Sequence, residues 1–129
     1  MRFSTISALA LPLLSSLALA DDTVTVSDLI IRNINSTIES ASFSIANTTC
    51  SASQPTAVVT CGDSPYRFYI EENSLDSYNL TIYEQTGPAV GLYKEQEVST
   101  VCRAGPTGAT DYVCQSFSNL TYTLTFDGQ

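Results

Sequence analysis

The sequence contains no histidine and no tryptophan, and only five of its 129 residues are lysine or arginine. Without histidine, the Ser-His-Asp and Cys-His arrangements of hydrolases cannot be built, and the commonest general base at neutral pH is missing. A carboxylate pair of the glycosidase type is a weaker alternative, because a short chain without tryptophan leaves little room for a sugar cleft. We therefore expect a protein without catalytic activity.

Basic residues are not only few but also scattered. Beyond residue 20 the chain carries four of them against thirteen acidic residues, which gives a formal charge of −9. Nucleic-acid phosphates and anionic membrane surfaces both attract clustered lysine and arginine. The composition therefore argues against nucleic acid and against a membrane as partners.

A long apolar run occurs only at the start of the chain. Arg2 precedes an apolar stretch at residues 6–19, and an Ala-Leu-Ala tripeptide closes this stretch at Ala20. This order is typical of a secretory signal peptide, and the run is shorter than the roughly 20 apolar residues that a membrane span needs. We interpret residues 1–20 as a cleaved signal peptide and residues 21–129 as one secreted, extracellular domain.

Four cysteines lie in the predicted mature domain: Cys50, Cys61, Cys102 and Cys114. Disulfides are the usual state of cysteines in a small exported domain. Four cysteines allow three pairings, and we prefer Cys50 with Cys61 and Cys102 with Cys114, because each pair closes a short loop between adjacent strand-like runs. A zinc site needs cysteines two to four residues apart, and no calcium loop is present, so we expect no metal and no other cofactor.

Four sequons for N-glycosylation are present, at Asn35, Asn47, Asn79 and Asn119. In an exported eukaryotic protein we expect roughly one to three of them to be used. Asn79 has the largest consequence, because a glycan there would fix the outward face of its strand.

Alternating apolar and polar residues recur along the chain. The clearest run is 120–126, in which Leu120, Tyr122, Leu124 and Phe126 share one face. The other strand candidates are 66–72 and 78–83, joined by a turn at 73–76, and, more weakly, 24–34, 41–46, 57–61, 90–94 and 98–103. Many short strands with regular turns predict an all-β fold, either a single small antiparallel β-barrel or a strongly curved sandwich.

Strand phase also separates the seven tyrosines. Most of them are predicted to be core residues, whereas Tyr69 and Tyr83 point outward, as do Arg67 and Thr81. Tyrosine offers a large amphipathic contact area at low entropy cost. Arg67, Tyr69 and Tyr83 therefore predict a contact patch for a protein or a phenolic ligand, although outward tyrosines are also ordinary in strands.

The glycine-rich segment 104–111 lacks the Lys-Ser/Thr pair that a phosphate-binding loop requires. It is predicted to be a turn closed by a disulfide, in which Gly105 and Gly108 adopt positive φ.

The stretch from Cys102 to Gln115 resembles the Alternaria major allergen (Alt a one) family of fungal secreted proteins, which carry a similar Cys-Arg-Ala-Gly start and Asp-aromatic-Val-Cys-Gln end. Looser similarity covers most of the mature chain, at 26–29, 49–52, 61–62 and 120–126. The resemblance implies a compact antiparallel β-barrel with the same two local disulfides. It also implies a role outside the cell, where relatives act as allergens and as elicitors or effectors recognised by plants, without catalytic activity.

The chain departs from the founding allergen of that family, which has an additional cysteine that links a dimer. If both bridges form here, no cysteine is left unpaired, so we expect a monomer or a non-covalent dimer. The leading hypothesis is a fungal secreted interaction protein that engages a plant extracellular defence protein or receptor. The alternatives are an extracellular carrier of a small phenolic, flavonoid-like ligand and a structural protein of the cell wall.

Overall fold

The computed structural model describes residues 20–129, so the predicted signal peptide lies outside the described residues except for its last residue. Within this range the chain forms nine strands: β1 (Asp22–Ile34), β2 (Thr37–Ile45), β3 (Thr48–Ser53), β4 (Val59–Thr60), β5 (Tyr66–Ser74), β6 (Ser77–Gly87), β7 (Val90–Ala104), β8 (Asp111–Ser116) and β9 (Leu120–Leu124). Among residues 20–129, no helix is long and apolar enough to cross a membrane.

All nine strands belong to one antiparallel sheet that curls into a nearly closed barrel. The strand order is β3-β2-β1-β8-β7-β6-β5-β4. β9 pairs with the first half of β1, at residues 22–26, and β8 pairs with its second half, at residues 30–34. β8 and β9 therefore occupy one position in the barrel wall, one after the other, and the prediction of an all-β barrel is confirmed.

The change from β9 to β8 takes place at an irregularity in β1. The register of β1 against β2 shifts between Ser27 and Ile30, and Asp28 has a φ of 57°. On the other side, β7 meets the chain just after β9 through a single bridge between Tyr93 and Thr125. Beyond that bridge the Gln96 side chain donates a hydrogen bond to the Thr121 carbonyl at 2.8 Å. This side chain satisfies a backbone group that the ladder leaves open.

The barrel closes at a seam between its two edge strands, β3 and β4. No backbone ladder joins β3 to β4 in the part of the chain that the structure describes. The Cys50–Cys61 disulfide crosses this seam, and Phe43 on β2 packs edge-to-face against Phe68 on β5 with 5.0 Å between ring centroids. The seam is thus held by a covalent bond and by aromatic packing.

The two local disulfides predicted from sequence are present, but they connect strands in different ways. Cys102 and Cys114 are directly opposite each other on β7 and β8, two strands that are also hydrogen-bonded. Cys50 and Cys61 join strands that are neighbours in sequence but not in the ladder. The prediction that each bridge closes a short loop between adjacent strand-like runs is confirmed, and the structure adds that β3 and β4 are joined by no ladder within residues 20–129.

Large side chains fill the barrel interior. Twelve of them are almost completely buried: Tyr78, Tyr122, Phe43, Phe68, Leu29, Ile31, Ile45, Leu80, Ile82, Leu124, Val26 and Val98. They come from alternate positions of the strands, because successive strand residues point to opposite faces. Each contributes roughly 1.5–3 kcal/mol through removal from water.

One polar residue, Asn33, lies inside this apolar core. Its Nδ2 atom donates hydrogen bonds to Glu72 Oε1 at 2.8 Å and to the Tyr78 hydroxyl at 3.0 Å. Burial raises the pKa of Tyr78, which keeps the hydroxyl protonated. The bonds tie β1 to β5 and β6 across the interior, because a buried amide is costly unless its hydrogens are used.

The structure corrects several predictions from the sequence. The candidates 90–94 and 98–103 are one strand, β7, because its residues 90–99 pair with β6 and its residues 100–104 pair with β8. Of 57–61 only Val59–Thr60 is strand. Phe126 is 62% exposed and not part of the core, since β9 ends at Leu124. Only three of the seven tyrosines are buried, namely Tyr66, Tyr78 and Tyr122.

Candidate functional site: an aromatic contact surface

The outer face of β5, β6 and β7 consists of three rows of side chains that cross the strands. The pairing register places Arg67, Tyr83 and Tyr93 in one row. The next row contains Tyr69, Thr81 and Glu95, and the third contains Glu71, Asn79 and Glu97. The face therefore changes from aromatic and basic at one end to acidic at the other.

The three predicted patch residues lie on this one face, and the structure adds a fourth. Arg67 and Tyr83 are directly opposite each other, and Tyr69 lies opposite Thr81 one row away. Tyr93 stacks on Tyr83 with 6.0 Å between ring centroids and 25° between ring planes. We call Arg67, Tyr69, Tyr83 and Tyr93 the aromatic surface.

Thr81 was predicted to point to solvent, but it is buried, with 7% of its surface exposed. It stands on the outer face between Tyr69 and Glu95, whose longer side chains leave it little access to water. Burial here results from neighbours on the same face and not from the barrel core.

Tyr93 was not predicted to belong to the patch, but in the structure it is 40% exposed on the same face. Its phase in β7 puts it on the outer face, but only the register shows that its partner is Tyr83. The end of the chain holds the far side of its ring: a Cβ atom on Gly128 would clash with the Tyr93 ring, and Lys94 Nζ donates to the Gln129 carbonyl at 3.0 Å. Tyr93 is therefore oriented from two sides.

A groove of about 330 Å³ lies beside the stacked tyrosines, at the β6–β7 turn. Apolar parts of its wall come from Val90 and Leu92, and Arg67 and Tyr83 contribute polar atoms. Gly91 is required for the strands to approach here, because a Cβ atom would come within 2.8 Å of the Glu84 carbonyl oxygen. The groove is of a size that small ligands use.

The aromatic surface presents the neutral hydroxyl groups of its tyrosines and one permanent positive charge, that of Arg67. A hydrogen bond to Glu71, followed by burial and the charge of Glu71, raises the pKa of Tyr69. Burial and then the charge of Glu95 raise the pKa of Tyr83. Both phenols remain hydrogen-bond donors at neutral pH, while Arg67 donates to Gln85 Oε1 at 3.2 Å.

The loop between β7 and β8 is organised around one buried carboxylate, Asp111, which is 1% exposed. Arg32 donates to it through Nε at 3.2 Å and through a terminal nitrogen at 2.9 Å. Thr107 adds its backbone N–H at 3.0 Å and its hydroxyl at 2.7 Å. These donors hold the pKa of Asp111 well below its usual range, so the carboxylate stays charged and the loop stays closed around it.

Gly105 does not have the positive φ predicted for it, whereas Gly108 does, at 153°. Gly105 is needed for space: a Cβ atom there would lie 2.5 Å from the Asp111 carboxylate. The Cys-Arg-Ala-Gly and Asp-Tyr-Val-Cys halves of the motif are therefore joined by one cluster of contacts. The geometry of this segment is that of a structural loop.

This chain is similar in sequence and in fold to proteins of one known family. The family model described as Alternaria alternata allergen 1 matches residues 26–114, which is more than half of the chain. The chain belongs to this family. The expectation drawn from residues 102–115 is thereby confirmed.

Solved structures of the Alternaria alternata allergen 1 family share the barrel. One crystal structure of the Alternaria alternata allergen Alt a 1 superposes with a TM-score of 0.68 at 22% identity, over 84% of this chain and 91% of that chain. A second, also at 22% identity, gives 0.65 over 80% and 92%. At this identity the likeness shows the common fold.

The chain is also similar in sequence to a relative named Effector protein PevD1, from Verticillium dahliae. It is 43% identical to this chain over 61 residues, which are 47% of this chain and 38% of the relative. The match thus spans well under half of the relative's length. It connects the family member described here to a protein named as an effector.

The remaining predicted site residues of this family member are distributed over the barrel. Asn35 and Asn47 lie in the β1–β2 and β2–β3 turns, and Asn119 precedes β9; all three are exposed. Asn79 is half-buried in β6. A second cavity, of about 620 Å³, lies at the barrel end near Asp22 and Tyr66, and nothing in the sequence pattern pointed to it.

Glu84, at this same end of the barrel, is expected to make the folded protein less stable as the pH rises. Burial, a hydrogen bond to Asp22 and the charge of Asp22 raise the pKa of Glu84 to about 7, above the value of about 4.3 that applies to an unfolded chain. Between these values the folded state binds more protons, so stability falls as the pH rises through them. We expect Glu84→Gln to remove this fall, which urea unfolding at about pH 5 and about pH 8 measures.

The control for this prediction is Glu71→Gln, which removes one exposed carboxylate elsewhere on the barrel. It should leave the difference in stability between the two pH values nearly unchanged. If Glu84→Gln and the unaltered protein lose the same stability between the two pH values, Glu84 is not the group responsible.

Proposed function

We propose that the protein is secreted and acts without catalysis, by engaging a protein of plant extracellular defence through its aromatic surface. The observation that carries this proposal is the stacked Tyr83–Tyr93 pair with Arg67 in the same row. Tyrosine and arginine are the residues most enriched among those that dominate protein interfaces. Strand register places two tyrosines and an arginine in one row, and the stacking of Tyr83 on Tyr93 restricts both rings. Binding then costs less side-chain entropy for these two residues.

Three further facts support a role in contact outside the cell. The family relative from Verticillium dahliae is named an effector. The described chain holds two disulfides, which persist in oxidising compartments. The signal peptide predicted at residues 1–20 is consistent with export.

The electrostatics of the face favour a particular orientation of the partner. Arg67 lies in the aromatic row, and Glu71 and Glu97 lie two rows away on the same face. A partner with basic residues opposite the acidic row would be oriented by this gradient. The expectation is a faster association at low salt.

Replacing Tyr83 and Tyr93 with alanine is the direct test. Because both rings would form the centre of the interface, we expect the double variant to bind its partner about 30-fold more weakly or worse. Protein captured from plant extracellular fluid, then titrated by calorimetry, measures this change. Leaf infiltration should show a matching loss of oxidative burst or cell death.

The matched control is Phe117→Ala. Phe117 is 72% exposed, more than any other large hydrophobic side chain described, and it lies in the β8–β9 loop away from the aromatic surface. It should bind and elicit as the unaltered protein does. The proposal is wrong if the unaltered protein gives no response and binds no defence protein across several hosts, or if both variants bind equally well.

A second candidate function is transport of a small phenolic ligand. The specific observation is the groove of about 330 Å³ lined by Tyr83 and Tyr93, whose rings can stack on a flat aromatic molecule. Large side chains fill the barrel core, so the ligand would sit in this outer groove. Native mass spectrometry of protein purified from its source should show the added mass, and Tyr83→Ala with Tyr93→Ala should remove it.

The oligomeric state proposed is a monomer or a non-covalent dimer. All four cysteines are used in intrachain bridges, which leaves no thiol for a covalent link. Light scattering with a non-reducing gel separates these states. The same preparations test the wall-protein alternative, which requires the protein to stay with the washed wall and not the medium.

A further inference from the structure

The four sequons differ sharply in their structural settings. We propose that Asn35, Asn47 and Asn119 carry N-linked glycans and that Asn79 does not. Sugar would then cover one half of the barrel and leave the outer face of β5, β6 and β7 bare. This inference concerns the modification itself and does not depend on what the bare face binds.

Asn35 and Asn47 lie in two-residue turns at which the chain is exposed. Both side chains are exposed, and the residues have φ values of 55° and 63°. Asparagine tolerates this left-handed conformation better than most residues, so the turn alone explains its presence. The turn does not explain the hydroxyl residue two positions later, Thr37 or Thr49, which lies on the following strand and completes each sequon.

Asn119 is in the short loop that connects β8 to β9. It is exposed, and so are Phe117 and Ser118 beside it. The Ser118 hydroxyl donates to the Asn119 carbonyl at 3.4 Å, and this contact leaves the Asn119 side chain free for modification. Asn119 also lies at the rim of the cavity of about 620 Å³, which leaves open space beside its side chain.

Asn79 is placed quite differently. It lies within β6, is half-buried, and has both of its side-chain polar atoms engaged by Asn73. Asn73 Nδ2 donates to its Oδ1 at 2.9 Å, and its own Nδ2, the atom that would carry the sugar, donates to Asn73 Oδ1 at 3.2 Å. Glu71 and Glu97 flank it on the neighbouring strands. A glycan would have to displace Asn73 and stand between two carboxylates.

The positions of the four sites divide the barrel in two. Asn35, Asn47 and Asn119 all belong to the half built from β1, β2, β3, β8 and β9. Asn79 is the sequon of the other half, and it stands on the same outer face as the aromatic surface. An unused Asn79 therefore keeps that face accessible, whereas the three glycans would mask the surface around the β1–β2 turn, the β2–β3 turn and the β8–β9 loop.

The test uses the full chain secreted from a eukaryotic host. Release of N-glycans by peptide N-glycosidase in heavy-oxygen water marks each formerly glycosylated asparagine. We expect the label at Asn35, Asn47 and Asn119 and none at Asn79. The proposal is overturned if Asn79 carries the heavy-oxygen label, or if Asn35, Asn47 or Asn119 lacks it.

A matched series of Thr→Val variants gives an independent readout. Thr37→Val, Thr49→Val, Thr121→Val and Thr81→Val each destroy one sequon while keeping its asparagine and the β-branched shape of the threonine. The first three should each lose one glycan from the intact mass, and Thr81→Val should lose none. A loss of glycan mass in Thr81→Val contradicts the proposal; the peptide map of the unaltered protein decides the question even if a variant is not secreted.

Discussion

Replacing both Cys50 and Cys61 with alanine is expected to lower the free energy of unfolding more than replacing both Cys102 and Cys114. The two bridges enclose loops of nearly equal length, with sequence separations of 11 and 12. Chain entropy alone therefore predicts the same loss for each, roughly 3 kcal/mol. Any difference between the two measured losses in the free energy of unfolding must therefore come from the folded barrel and not from the unfolded chain.

The seam explains why the losses should differ. β7 and β8 stay joined by their ladder when the Cys102–Cys114 bridge is absent, whereas β3 and β4 have no ladder between them in residues 20–129. Opening of the seam would expose Phe43 and Phe68, so we expect a total loss of about 4 kcal/mol or more for the seam pair. Urea unfolding of both double variants measures the two losses.

Hydrogen exchange supplies the control for this prediction. In the variant without Cys50–Cys61, amides of β2, β3 and β5 should exchange faster, while those of β7 and β8 should keep their protection. Equal losses of stability, with uniform changes in exchange, would mean that the seam disulfide acts only on the unfolded chain.

Asp111→Asn is expected to destabilise the protein at neutral pH and to loosen the loop between β7 and β8. The substitution removes the negative charge that Arg32 contacts through two nitrogens. It also weakens the hydrogen bonds that the buried Asp111 side chain accepts, because a neutral amide accepts less strongly than a carboxylate. Protection from hydrogen exchange should fall at Gly105 and Asn35, whose backbone N–H groups bond to the Asp111 and Thr110 carbonyls. Both effects should exceed those of Asp63→Asn, which neutralises an exposed acid.

The same carboxylate also determines how stability changes in acid. Because the pKa of Asp111 is lowered in the folded protein, its contribution is complete above about pH 3.9 and is lost as the pH falls below that value. Asp111→Asn should therefore flatten the acid side of the stability curve, just as Glu84→Gln flattens the side toward neutral pH. An unchanged acid side in Asp111→Asn would show that other carboxylates dominate.

The sequence was most informative where structure is local. The alternation in residues 66–72 and 78–83 correctly placed Tyr66, Phe68 and Ile70, and Tyr78, Leu80 and Ile82, in the core. Period-two alternation is a property of the strand alone, so it needs no knowledge of the partner strand. It did not foresee Thr81, whose burial depends on the side chains next to it, or Phe126, which lies beyond the end of its strand.

The candidate site was partly visible in the sequence for the same reason. Phase alone put Arg67, Tyr69 and Tyr83 on the outer face, and they do share it. Tyr93 and the groove depend on the register between β6 and β7, which a single strand does not contain. The sequence also had no signal for Asp22 beside Glu84, since these residues are 62 positions apart in the chain and meet only at the end of the barrel.

By itself, the sequence determined that histidine-based chemistry is absent, and it correctly predicted the all-β class and the preferred pairing of cysteines among the three possible ones. Each of these follows from composition or from residues close together in the chain. Only the tertiary structure decided that Cys50–Cys61 holds the seam, that Tyr93 completes the aromatic row and that one sequon of four is engaged by a neighbouring side chain. These features arise from strand register and barrel closure, which bring together residues that no local pattern connects.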